Sequence, residues 1–125
     1  MNIQDILTNE DKMRIIQEIV PGKQITIAHV IANPDTVLYK KLGLNPEMDY
    51  SKTAIGIVTM TPSETAIIAS DIAIKTSGVD LGFVDRFSGT LIVTGSVSEV
   101  ETALTAIVDY AREKLCFTVC EITRT

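Results

Sequence analysis

The stretch from Ser96 to Leu115 constrains the fold of this chain more than any other. Val97, Val100, Ala103, Leu104, Ile107, Val108, Ala111 and Leu115 recur at spacings of 3, 3, 1, 3, 1, 3 and 4. That is one apolar stripe on an α-helix. Ser96 with Glu99 three residues on is a capping box, which marks where the helix starts. A one-sided helix has to bury its stripe against another layer, and the segments around it read as strands.

Residues 53–60 form a strong strand candidate. Thr61-Pro62-Ser63-Glu64 reads as a second capping box with Pro at the first helical position. It predicts a helix to about Thr76, ended by Gly78, with a small-residue side of Ala66, Ala69, Ser70 and Ala73. Residues 80–87 read as a strand, Ser88-Gly89 as a hairpin turn and 90–94 as its partner. After the long helix, 117–122 reads as the last strand. The order β-α-β-β-α-β is the ferredoxin-like, split βαβ arrangement of an α+β protein. Both helices are expected on one face of an antiparallel sheet, with the other face solvated or covered by a neighbour.

More elements precede this unit. Residues 24–31 read as a strand. Asn33 as N-cap and Pro34 at the first helical position predict a short helix over about 34–42, closed by Gly43. Residues 44–52 read as a loop. Residues 1–13 look like a polar tail, and 14–20 (Arg14-Ile15-Ile16-Gln17-Glu18-Ile19-Val20) are a β-rich run stopped by Pro21-Gly22. A lone strand is not stable, so this one has to pair with something. Alternation puts Ile15, Gln17 and Ile19 on one side and Arg14, Ile16, Glu18 and Val20 on the other, so both sides carry apolar residues.

Composition narrows the function. The chain has 125 residues, enough for one core without a disulfide or metal. Its 11 Lys+Arg against 16 Asp+Glu leave a net charge of −5 with no basic cluster, which argues against nucleic acid and anionic membranes as partners. Apolar runs are too short to span a bilayer, and the first residues lack a signal-peptide pattern, so the cytoplasm is the expected compartment. Cys116 and Cys120 would lie on one side of a strand, too far apart to bridge easily, and read as free thiols.

The catalytic inventory is empty. The single histidine, His29, sits inside a strand candidate and reads as structural. The glycines are spread along the chain and form no phosphate loop. Ser88 has no base near it in sequence, and no His accompanies the cysteines as a metal ligand. No catalytic residue, metal or cofactor is expected. Asp85-Arg86, beside the hairpin, reads either as a solvated turn or as an ion pair at a subunit contact. Lys40-Lys41 suits a helix C-terminus.

Specific strings go further than periodicity. Ala54-Ile55-Gly56-Ile57, the helix ending Ala69-Ser70-Asp71-Ile72-Ala73-Ile74-Lys75, the hairpin Phe87-Ser88-Gly89-Thr90, and Gly95-Ser96-Val97-Ser98-Glu99-Val100 together resemble a bacterial microcompartment (BMC) shell domain. The run from Arg14 to Gln24, Ala28-His29-Val30-Ile31-Ala32-Asn33-Pro34, Gly82-Phe83-Val84-Asp85-Arg86, and Cys120-Glu121-Ile122-Thr123-Arg124-Thr125 resemble the circularly permuted shell subunits, the PduU and EutS type. The resemblance covers about residues 14–125.

It implies a structural protein and not an enzyme: a homohexameric tile in the shell around enzymes of propanediol, ethanolamine, choline or related catabolism. Its implied partners are its own copies, other shell proteins, and encapsulated enzymes or their targeting peptides. The implied division is a tail and barrel strand over 1–23 and a circularly permuted BMC domain over 24–125. Six copies of strand 14–20 would pair into a parallel intersubunit β-barrel that caps the central pore, which removes the edges of a lone strand. Phe87, Ser88, Gly89 and Thr90 would approach the sixfold axis. Lys75 and Asn33 would lie at the edge between hexamers. The competing reading is a small-molecule-binding regulatory module of ferredoxin-like fold, since fold alone does not decide function.

Overall fold

The computed structural model describes residues 22–44 and 53–125. The polar tail, the strand 14–20 and most of the loop 44–52 lie outside them. The elements are β1 (Gln24–Ile31), α1 (Thr36–Lys41), β2 (Ala54–Thr61), α2 (Thr65–Thr76), β3 (Asp80–Asp85), β4 (Thr90–Gly95), α3 (Val97–Glu113) and β5 (Thr123–Arg124). The sheet order is β3-β4-β2-β1-β5. All neighbours are antiparallel except β5, which runs parallel to β1.

The main core lies between this sheet and the pair α2 and α3. Ala54, Val58 and Met60 of β2 and Leu91 and Val93 of β4 meet Ala66, Ala69 and Ala73 of α2 and Val100, Leu104 and Ile107 of α3, all buried. The expected stripe of α3 is therefore the core side, although its last member, Leu115, lies past the helix end. The capping box forms as read: the Ser96 hydroxyl accepts the Glu99 N–H and the Glu99 carboxylate accepts the Ser96 N–H. Small residues let the layers close up. A Cβ on Gly56 would lie within 2.9 Å of Val100, Leu104 and Val93.

The second face of the sheet is not left to solvent or a neighbour alone. Tyr39 of α1 and Leu44 bury against Ile55, with Ile31, Leu38, Ile57 and Ile92 around them. The Tyr39 hydroxyl donates to the Thr53 carbonyl at 2.6 Å and fixes α1 in place. Beyond α1 that face stays open, and Ile27 and Phe83 are about half exposed.

Three expectations need correction. The first is the strand at 117–122. Only Thr123–Arg124 pairs as a strand, with an isolated bridge from Thr118 to Gln24. In the expected unit this last strand would complete the sheet; here β1 holds the place beside β2, and the C-terminal segment is left at the edge beyond it. Cys116, at φ 59 and exposed, is therefore not on a strand with Cys120; both thiols are free. The second is the capping box at Thr61. Thr61 still pairs with Gln24 in the sheet, so the chain is extended there. A turn over 62–64, with a cis Thr61-Pro62 peptide, precedes the helix, whose N-cap Glu64 makes no side-chain cap bond. The third is α1, which starts two residues late. Ala32 is still held by a bond to the Thr125 carbonyl, and Asp35, not Asn33, caps the helix by accepting the Val37 N–H.

Candidate functional site

The antiparallel register sorts the candidate residues between two ends of the sheet. Gln24 pairs with Thr61, and Thr90 pairs with both Thr59 and Asp85, so the start of β1 and the β3–β4 hairpin share one end. Ile31 pairs with Ile55, Ile55 with Thr94, and Thr94 with Asp80, which defines the opposite end. Helix α2 leaves β2 at the hairpin end and returns the chain to Asp80. Lys75 in its last turn and Asn33 just after β1 therefore both belong to the opposite end.

The hairpin is built by main chain and by Asp85. The strand stops at Asp85, two residues earlier than expected, because its carboxylate accepts the Phe87 N–H and the Ser88 hydroxyl, both at 2.8 Å. The Ser88 hydroxyl also lies 3.1 Å from that of Thr90. These bonds, the Phe87 amide first and the Ser88 hydroxyl next, hold the Asp85 carboxyl below its ordinary pKa. Gly89 takes φ +74, donates to the Asp85 carbonyl and accepts from the Met60 N–H. A Cβ there would sit 2.1 Å from the Met60 carbonyl, so only glycine fits. Phe87 is 81% exposed, with the Arg86 guanidinium 5.0 Å from its ring centroid. Asp85 and Arg86 thus do not pair with each other: the acid shapes the turn and the base stacks on its neighbour.

The opposite end carries exposed side chains. Lys75 Nζ lies 2.8 Å from Asp71, one helical turn back, with the two side chains 72% and 59% exposed. The Asp71 hydrogen bond first, and its charge second, hold the Lys75 ammonium above the ordinary lysine pKa. Asn33 is exposed in the turn after β1. The barrel strand, Arg14 to Val20, lies outside the described residues.

His29 has a role that its sequence neighbours do not reveal. Its Nδ1 meets the Thr123 hydroxyl and its Nε2 the Thr125 hydroxyl, at 2.9 Å, so the ring staples the C-terminal segment to β1. Arg124 adds a bond to Glu101 of α3 at 2.8 Å. Lys40 and Lys41 lie in the last turn of α1, as charge and helix dipole favour. Among the described residues no cluster of His, Cys, Asp or Glu could hold a metal ion, and no helix is long and apolar enough to cross a membrane.

Comparison with known proteins gives a consistent family. The BMC domain profile matches residues 54–125. The chain is 54% identical over 112 residues to the bacterial microcompartment shell protein PduU of Salmonella typhimurium, covering 90% of this chain and 93% of that protein. It is 53% identical over 114 residues to the shell protein EutS of Escherichia coli, covering 91% and 98%. A solved structure described as a CutR flat hexamer superposes with a TM-score of 0.77 at 48% identity, over 90% of this chain and 99% of that one. Shell proteins matched over nine-tenths of the chain leave no support for the regulatory-module reading. The chain therefore belongs to the BMC-domain family of bacterial microcompartment shell proteins, and its role is structural, not enzymatic.

Proposed function

We propose that this chain is a hexameric shell tile whose hairpin end faces the sixfold axis and whose opposite end forms the perimeter. The carrying observation is the register, which separates Phe87, Ser88, Gly89 and Thr90 from Lys75 and Asn33 by the length of the sheet. Exposed apolar residues on α2 and β3 support lateral contact between subunits: Ile67, Ile68, Leu81, Phe83 and Val84 are each more than a third exposed. The related CutR forms a flat hexamer. Light scattering of the full chain should give six times its 13.6 kDa mass. A monomer or dimer mass would refute the tile.

The domain is circularly permuted in this reading. β1 and α1 precede the BMC-matched stretch, and β1 holds the place beside β2 that the last strand of the unit would otherwise take. The unit then divides as 1–23, tail and barrel strand, and 24–125, shell domain. Residues 14–20 form the parallel barrel over the pore. The start of β1 at the hairpin end supports this, since the segment before Gln24 then emerges next to the loop assigned to the axis. Deleting residues 1–20 should preserve the hexamer and open its axis, seen as a central hole by electron microscopy. Loss of the hexamer, or an axis equally closed, would refute the barrel. Lys75 reaches a neighbouring hexamer with Asn33 beside that contact, packing its stem on the neighbour and donating to a backbone carbonyl.

A further inference from the structure

We infer that Glu99 is a positioning residue of the perimeter: with Ser77 and Gly78 it clamps the segment that follows Lys75 onto the start of α3, and so sets how the last turn of α2 stands at the rim of the tile. This rests on the perimeter assignment above and adds to it residues that act through Lys75.

Glu99 touches the ends of two helices at once. Its carboxylate accepts the Ser96 N–H at 3.0 Å and its own N–H donates to the Ser96 hydroxyl at 3.2 Å, which is the capping box of α3. Its main-chain carbonyl accepts the Ser77 hydroxyl at 2.6 Å, across 22 residues of sequence. The second carboxylate oxygen, Oε2, lies against Gly78, where a Cβ would overlap it. Ser77 is the C-cap of α2: its N–H bonds back to the Ala73 carbonyl and the backbone turns extended. Lys75 stands two residues before it.

A glycine after a helix usually supplies a left-handed turn. The φ of Gly78 lies outside that region, unlike that of Gly89. What Gly78 supplies is space, and the Glu99 carboxylate takes it. The last turn of α2 has little else to hold it. Ile74, Lys75 and Thr76 are exposed, and Ala73, the buried residue of that turn, has a small side chain with little area to anchor a helix end. Helix ends fray when nothing ties them. The Ser77 hydroxyl and the Gly78–Glu99 contact tie this end to α3, whose own start the same glutamate caps. A lysine stem that is already ordered loses less freedom when it meets a neighbour.

The test uses the full-length chain and reads the protein concentration at which sheets form, with hexamer mass by light scattering and the denaturation midpoint measured beside it. Glu99→Ala and Gly78→Ala should each raise that concentration about threefold while the hexamer still forms, a size common for residues that act through others. Their effects should overlap in the double variant and not add, because Gly78→Ala acts by displacing the same carboxylate. Glu99→Gln keeps the shape and the acceptor for the Ser96 N–H, and should assemble like the wild type. Ser77→Ala leaves the capping box intact and should also raise the threshold, so the clamp stays testable if Glu99→Ala does not fold. Ile107→Val, in the buried core side of α3, should lower the midpoint and leave the threshold unchanged. Additive effects, Glu99→Gln as impaired as Glu99→Ala, or a threshold raised as far by Ile107→Val would reduce the clamp to a plain helix cap and leave the perimeter assignment standing. Lys75→Ala is run alongside: if it leaves sheets unchanged, the perimeter assignment fails and the clamp's role with it.

Discussion

The two ends of the sheet hold their residues by different means. At the hairpin end the geometry is mostly main chain: Gly89 bonds to Asp85 and Met60 through its backbone, and the Asp85 carboxylate holds the Ser88 hydroxyl. At the opposite end, Lys75 and Asp71 are exposed side chains on a helix whose buried side, Ala66, Ala69 and Ala73, is independent of them. A residue placed by backbone cannot be changed without changing the fold around it. A residue placed on an exposed helix side can be, so stability and assembly should separate at one end and not at the other.

The largest effect should come from Gly89→Ala. A positive φ and a Cβ 2.1 Å from the Met60 carbonyl cost about 3 kcal/mol, read by chemical denaturation. Full stability would mean that the hairpin is not fixed by backbone, and the contrast between the ends would lose its basis. Ser96→Ala comes next, at about 1 kcal/mol, because it removes the cap of α3 without touching the hairpin. Lys75→Ala should lower the denaturation midpoint less than Ser96→Ala does and leave the hexamer mass unchanged while abolishing sheets. A midpoint shift as large as that of Ser96→Ala would show that stability and assembly are coupled at this end as well.

The smallest effect is in pH, and it has opposite signs at the two ends. Asp85 is held below its ordinary value of 3.8, so its contribution is present above that value and lost as pH falls through the lower folded value. Lys75 is held above 10.5, so its contribution is present below 10.5 and lost as pH rises through the higher folded value. Asp85→Asn should weaken the acid dependence alone, and Lys75→Met the alkaline dependence alone, each followed by denaturation midpoints across pH. Loss of both dependences in either variant would contradict the separation.

Local signals made part of this legible in sequence. The α3 stripe and its capping box needed only neighbours three and four residues apart, and 24–31 was bounded by its flanking turns. What misled was competition from distant partners. Thr61-Pro62-Ser63-Glu64 has the form of a helix start, but Thr61 is claimed by Gln24 across the sheet. Residues 117–122 have strand composition, but β1 already occupies the place beside β2. His29 finds Thr123 and Thr125 at the far end of the chain, a contact with no local signature. Asp71 to Lys75 is a spacing of four on a helix and was readable, yet a search for catalytic groups passes over a surface pair.

The most direct test of the account is a high-resolution structure of the assembled full-length protein, read for the distance of each residue from the oligomer axis. The account predicts a sixfold ring in which Ser88 and Gly89 lie nearest the axis and Lys75 and Asn33 lie at the rim. A ring with Lys75 inside and the hairpin outside, or an assembly without sixfold symmetry, would contradict it.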